Sequence, residues 1–371
     1  MAQDTTQDSR SKERTAPDPE DPRKPDSPTE ITKPAWGYVF KRALSEFSKD
    51  DCTDLAASLT YFAVLSLFPA LLALVSLLGV FGQGEATTNA ITTWLGQYAP
   101  AEVTDLLAGP INNLTTQTGA GLALVTGILG ALWTASGYTG AFGRALNRIY
   151  EVEEGRPVWK LRPMNIIVTL TLVIIVAVIL VALIVSGDIA RAVGDLVGLG
   201  ETAVTVWNIA KWPAVIALAV LLLAVLYYFT PNVEQPKFRW ISVGSLVALI
   251  IAAVAVAAFS FYVSNFSSYN ATYGIIGSVI ALLLGLWIVN NVLLLGAEVD
   301  AEVERGRQLQ GGIKAEETIQ LPPRDTRQVE KKEKKEEKLV EQGRKLRLEH
   351  EHLDYSSDDS GTSDRGGSSA S

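Results

Sequence analysis

Between about residues 36 and 304, apolar residues run in long blocks and polar residues collect in the gaps between them. Six blocks reach the roughly 20 apolar residues that a helix needs to cross a bilayer. They cover about 56–82, 119–143, 163–187, 211–230, 240–264 and 275–298. They are apolar all round rather than along one stripe, which is the pattern of helices solvated by lipid. Gly, Thr and Ser dilute the second block, and it is retained because the charge pattern requires it. Two other regions are amphipathic. In 35–49, Trp36, Val39, Phe40, Leu44 and Phe47 fall on one side of a helix and Lys41, Arg42 and Glu46 on the other, as in a helix lying on a membrane surface. Between blocks one and two, Ile91, Trp94, Leu95 and Tyr98, then Val103, Leu106, Leu107 and Ile111 past Pro100, form two more stripes, so 86–116 reads as an outer helical hairpin.

Charge gives these blocks a direction. Lys33, Lys41, Arg42 and Lys49 precede the first block, and 83–118 holds no Lys or Arg. Arg144, Arg148, Arg156, Lys160 and Arg162 follow the second; only Arg191 and Lys211 follow the third. Lys237 and Arg239 follow the fourth, none lies in 265–274, and Arg305, Arg307 and Lys314 follow the sixth. This alternation needs all six crossings, and the positive-inside rule then places both termini in the cytoplasm. The expected fold is an all-α integral membrane protein with six transmembrane helices, cytoplasmic N and C termini and interfacial amphipathic helices. Trp36, Trp159, Trp207, Trp212 and Trp240, with Tyr227 and Tyr228, fit the aromatic belts of such a protein.

Composition separates the domain 35–304 from its tails. Residues 1–34 carry six prolines and almost no apolar residues, which predicts a disordered tail. Residues 305–371 form a polar, charged tail, helical in part over 328–352, where Glu330 and Lys334 stand four apart. From 305 to 354, 13 Lys/Arg face 11 Asp/Glu, which is no polybasic block for nucleic acid or anionic lipid. The lone Cys52 excludes a disulfide within the chain and a cysteine metal cluster. No leader pattern opens the sequence, since the first apolar block begins past residue 54.

Polar groups inside lipid need internal partners, so they mark where function resides. Three clusters stand out. Asp54, Ser58 and Tyr61 share a face at the cytoplasmic start of the first block with Asp51; helix-end capping and an ion or substrate role both account for them. In the second block Ser136/Gly140 and Thr139/Gly143 are small pairs suited to close packing, Asn147 continues the row, and Arg144 and Arg148 stand at the cytoplasmic mouth as anchors or as an anion or phosphate-headgroup site. In the sixth block Asn291 shares a face with Glu298 and Glu302, while Asn290 points elsewhere as interhelical glue. Pro69 removes a backbone donor in the first block and predicts a kink there.

The segments AASLTYFAVLSLFP, LWTASGYTGAFGRALNRIYEVEE, YYFTPNVEQPKFRWISVGSLVA and SYNATYGIIGSVIALLLGLWIVNNVLLLGAEVDAE occur in this order across about 45–304. Together they resemble the YihY / virulence factor BrkB family of bacterial inner-membrane proteins, which carries an older ribonuclease BN-like label. Tyr273–Gly274 and Gly296–Ala297–Glu298 carry the resemblance best, and Tyr273 joins the candidate face on that ground. Ser242–Val243–Gly244–Ser245 departs from the pattern, where Pro before Gly and Ala after it are expected. The resemblance implies six membrane helices with cytoplasmic termini and no settled activity.

The expected function is that of a transporter, or a protein handling lipid or a small solute, with a polar intramembrane cavity; the alternative is a structural or partner-organising envelope protein. No enzyme is expected, because no nucleophile–base pair or metal set is evident. The nuclease label fails because the two histidines, His350 and His352, lie in the polar tail. The candidate face comprises Asp54, Ser58, Tyr61, Thr139, Arg144, Asn147, Arg148, Tyr273, Asn291 and Glu298. No cofactor or metal is called for. The expected partners are the lipid bilayer, a lipid or small solute, a second copy of the chain, and a cytoplasmic partner of the C-terminal tail, with no nucleic acid. The expected location is the bacterial cytoplasmic membrane.

Overall fold

The computed structural model describes residues 2–81, 121–185, 201–236, 241–265 and 267–359, with residue 93. Nine α-helices occupy these residues: α1 Ala2–Thr15, α2 Lys33–Lys49, α3 Cys52–Phe81, α4 Gly121–Ile149, α5 Val158–Ile184, α6 Glu201–Phe229, α7 Ile241–Asn265, α8 Ser267–Gln310 and α9 Arg327–Asp359. The described fold is all-α, and its nearest approach to a sheet is an isolated bridge between Val233 and Pro323. The outer hairpin expected over 86–116 lies outside the described residues.

Four helices contain stretches long and apolar enough to cross a membrane: Val158–Leu183, Val204–Phe229, Val243–Phe261 and Val279–Gln310. Their outward faces carry Ile174, Val178, Ile216, Ile250, Val254 and Phe261, all exposed. Apolar exposure on this scale is unfavourable in water and favourable in hydrocarbon. The first two predicted spans fall on α3 and α4, of 30 and 29 residues. The backbone of α3 is helical on both sides of Pro69. Helix α8 has 44 residues. At ~1.5 Å per residue it is about 66 Å long, twice the roughly 30 Å of a hydrocarbon core, so one end must leave the bilayer.

That end organises a collar. Helix α3 packs on α4 and α8, and α2 packs on α8. Leu59 of α3, Phe142 and Leu146 of α4, Tyr227 of α6 and Leu294 of α8 meet in one core, with the Phe142 and Tyr227 rings stacked at 6.0 Å. Of the predicted stripe of α2, Val39 buries with Ala43 against Val299 and Val303, whereas Phe40 and Leu44 stay exposed and Glu46, expected on the polar side, is buried where it pairs with Arg42 and Lys49.

The tails depart from the expectation. Residues 9–31, expected to be disordered, pack along the collar. Lys24 pairs with Glu304 at 3.0 Å, and Arg307 donates to the Pro25 carbonyl at 3.1 Å. Lys12 donates to the Glu151 carbonyl at 3.0 Å, and Gln310 to that of Glu30 at 2.9 Å. The C-terminal tail likewise starts as packed chain: Ala315, Ile319 and Leu321 are fully buried, and the Gln308 side chain accepts the Gln320 N–H. The compositional argument counts apolar surface. Here burial is permitted because the buried charges and amides pair across the chain. Beyond this segment, α9 is mostly exposed.

Candidate functional site

Among the described residues, the polar side chains of the membrane helices form several small closed sets. On α8, Asn290 is buried and accepts the Tyr138 hydroxyl at 2.8 Å while its amide donates to Thr60 at 3.1 Å. It therefore ties α8 to α4 and α3. Asn291 donates to the Trp287 carbonyl of its own helix at 2.8 Å. Glu298 is buried and accepts the Cys52 thiol at 3.3 Å, and Glu302 is held by Arg305 at 2.9 Å. The face of Asn291, Glu298 and Glu302 is thus divided among separate partners.

Helix α4 supplies the next set. Thr139 shares a 2.7 Å hydrogen bond with Thr169 of α5, which in turn donates to the Asn165 carbonyl. Asn147 accepts the Asn232 N–H at 2.6 Å and donates to Glu154 at 3.1 Å. Asn147 thus joins the end of α4 to the turn after α6. Arg148 donates to Asp51 at 2.7 Å and lies 3.7 Å from Asp50. Burial, then the charge of Glu46, pushes the Asp50 carboxyl up to about 6. Asp54, Ser58 and Tyr61 are exposed on the outer side of α3 and do not join the Glu298 set. The side chain of Tyr273 lies outside the described residues.

Sequence reasoning missed four residues. Arg162 lies over the Trp133 ring at 5.3 Å and acts electrostatically on Arg144, which itself lies over the Phe62 ring at 5.4 Å. Asn165 is buried beside Gly140. Asp300 accepts the Gly244 N–H at 2.6 Å, one of the N–H groups that the first turn of α7 leaves free. Gly is required at 244, since a Cβ there would collide with the Gly296 carbonyl. A cavity of about 10 Å³, room for one water, is lined by Tyr150, Gln235, Asp300, Glu304 and Arg307. Asp300 Oδ2 and Gln235 Oε1 have no hydrogen-bond partner among the described residues. Asn165 and Arg162 did leave a signal: an amide inside, and a cation just before, the apolar run that opens at Pro163.

These helices and closed polar sets coincide with a known family model, Virulence factor BrkB, which matches residues 43–319. This chain belongs to the BrkB family. The ribonuclease-like protein YfkH of Bacillus subtilis is 30% identical over 270 residues, covering 73% of this chain and 96% of that protein. UPF0761 membrane proteins match at 27% in Alkalilimnicola ehrlichii and 28% in Ralstonia nicotianae, over 70% and 74% of this chain. The matches span 56% and 61% of those two relatives. No solved structure matches. As a BrkB-family chain with long apolar helices, it is a multi-pass membrane protein. The family region ends at 319, so it includes the buried Ile319 and the C-terminal side of the collar.

Proposed function

We propose that this BrkB-family chain is a six-span protein of the bacterial cytoplasmic membrane, with both termini cytoplasmic, that handles lipid at the cytoplasmic leaflet without enzymatic chemistry. One observation carries the reading. Among the described residues, Asn290, Tyr138, Thr60, Thr139, Thr169, Cys52 and Glu298 are paired inside the bundle, whereas Asp54, Ser58, Tyr61 and Arg144 are exposed on the outer surface of α3 and α4. A ligand met at that surface comes from the membrane rather than from a pore. The ribonuclease-like name of the Bacillus subtilis relative is not carried over, because the two histidines lie at 350 and 352 in the polar tail.

The test is reconstitution of the full chain into liposomes, with fluorescent-lipid scrambling and ion flux measured side by side. Lipid movement above empty liposomes without ion flux is the expected result. Rates equal to empty liposomes for every lipid would overturn it. The second reading, a partner-organising protein, is favoured by α9, where Leu339, Val340, Leu346 and Leu348 stand exposed along a charged helix. It gains if the liposomes stay inactive while a chain lacking 327–371 no longer retains cytoplasmic partners.

A further inference from the structure

The α4 residues Trp133, Gly137, Gly140 and Arg144 are spaced 4, 3 and 4, so they form one stripe along the helix. Phe62 of α3 flanks the stripe, 3.8 Å from where a Cβ on Gly137 would stand. On the other side is the start of α5, with Arg162 and Asn165. At the cytoplasmic end of the stripe two donors meet over Gly140. A Cβ on Gly140 would lie 2.9 Å from Asn165 Nδ2 and 3.8 Å from an Arg144 guanidinium nitrogen. Arg162, on the same start of α5 as Asn165, lies over the Trp133 ring at 5.3 Å and adds a like charge felt by Arg144.

Three features separate this place from ordinary basic anchors at a membrane face. First, neither Arg144 nor Arg162 has a carboxylate partner among the described residues, whereas Arg148, one turn on, is paired with Asp50 and Asp51. Two guanidiniums that feel each other's charge without an acid are electrostatically unfavourable until an anion joins them. Second, Asn165 is only 4% exposed, yet its side-chain amide makes no hydrogen bond among the described residues and is aimed at the glycine. A free donor held in place this way is ready for a ligand that accepts from it. Third, both cations are held over aromatic rings, Arg144 over Phe62 and Arg162 over Trp133. Stacking fixes the planar forks and lowers the entropy lost when they bind. Trp133 is itself 54% exposed at the inner end of the stripe, on the side that meets acyl chains.

We propose that Arg144, Arg162 and Asn165 form a binding site for the phosphate of an anionic phospholipid, with the lipid's chain lying along Gly140, Gly137 and Trp133. The guanidiniums offer bidentate donors to the phosphate oxygens and Asn165 a neutral one, the donor set that suits a phosphodiester. The site rests on the lipid-handling reading above for its role, but binding is measured without any activity.

The experiment uses the full chain in detergent, titrated with phosphatidylglycerol, phosphatidylcholine or inorganic phosphate, with lipid adducts counted by native mass spectrometry. Phosphatidylglycerol is expected to bind about tenfold tighter than phosphatidylcholine, about 1.4 kcal/mol. Arg144→Gln, Arg162→Gln and Asn165→Ala each reduce that preference. Arg148→Gln removes the same charge from a neighbouring but paired position and leaves the preference unchanged. An equal loss in Arg148→Gln means diffuse surface charge and overturns the site. So does equal binding of the two lipids. Displacement of phosphatidylglycerol by millimolar inorganic phosphate would assign the pocket to a soluble anion and overturn the lipid assignment. Binding as expected with no scrambling in liposomes would leave the site standing and remove only the transport reading.

Discussion

One residue apart on α8, Asn290 bridges Tyr138 and Thr60 while Asn291 folds back onto its own helix. Both read as polar interruptions of an apolar run, and hydropathy treats them alike. A 100° rotation per residue separates a group that ties three helices from one that ties none. Asn290→Leu strands the Tyr138 hydroxyl and is expected to cost about 1–2 kcal/mol, a fall of several degrees in the melting temperature in detergent. Asn291→Leu should change it little; equal losses would refute the bridging role. Asp50 makes a pH prediction. Its carboxyl is pushed up to about 6, well above the ordinary aspartate range, chiefly by burial and then by Glu46, against the charges of Arg148 and Lys49. The folded state therefore holds a proton that the unfolded chain releases. The stabilisation is fully present below about pH 4 and is lost as pH rises through about 6. Melting temperatures at pH 5 and pH 7.5 should differ less in Asp50→Asn than in the wild type, and an unchanged difference would show that Asp50 is not the group responsible.

The end of α4 shows how an element is terminated for use. The Val152 N–H reaches back to the Asn147 carbonyl at 2.9 Å, and Glu151 sits at φ 53° in the left-handed region. Glycine is the usual residue at such a stop, and a glutamate there costs about 1 kcal/mol. The side chain explains the choice: it accepts from Arg305 of α8 at 3.1 Å and from the Ile319 N–H at 3.0 Å, and Lys12 of α1 lies 3.7 Å away. Glu151→Gly should therefore destabilise the collar despite relieving the backbone, and Glu151→Gln should fall between the two. Limited proteolysis within 311–326 reads the effect, and protection equal to wild type in Glu151→Gly would refute it. The same residue marks the limit of reading from sequence. The apolar helices α5 to α8 were legible because hydropathy is a local property, and α2 because its stripe is. The collar was not. Lys24 and Glu304 are 280 residues apart, and Asn147 and Asn232 are 85 apart. Nothing near Lys24 distinguishes a lysine with a buried partner from one in a solvated tail, so composition assigned the segment to solvent. Arg144 was legible as a basic residue at a helix mouth. Its partnership with Arg162 and Asn165 was not, because it depends on how α5 lies against α4.

For the whole molecule, the packed collar bears on orientation. It gathers the N-terminal tail, the end of α4, the turn after α6, the end of α8 and the start of the C-terminal tail at one end of the bundle. On the proposed six-span reading, all of these lie on the same side of the membrane. The charge count independently puts Arg144, Arg148, Arg156, Lys160, Arg162, Arg305 and Arg307 on that side. The lone cysteine makes the side measurable. Cys52 is fully buried and hydrogen-bonded to Glu298, so the wild-type chain should stay dark to a membrane-impermeant maleimide in intact cells and after gentle permeabilisation. Against that background, Thr88→Cys, Ala192→Cys and Ser268→Cys should label in intact cells, because the basic count is low in those three loops. Thr5→Cys and Ser363→Cys should label only once the membrane is opened. Labelling of Thr5→Cys and Thr88→Cys from the same side would break the six-span arrangement at its first crossing. Labelling of Ser363→Cys in intact cells would separate the C-terminal tail from the N-terminal one, and the collar that joins them could not then form.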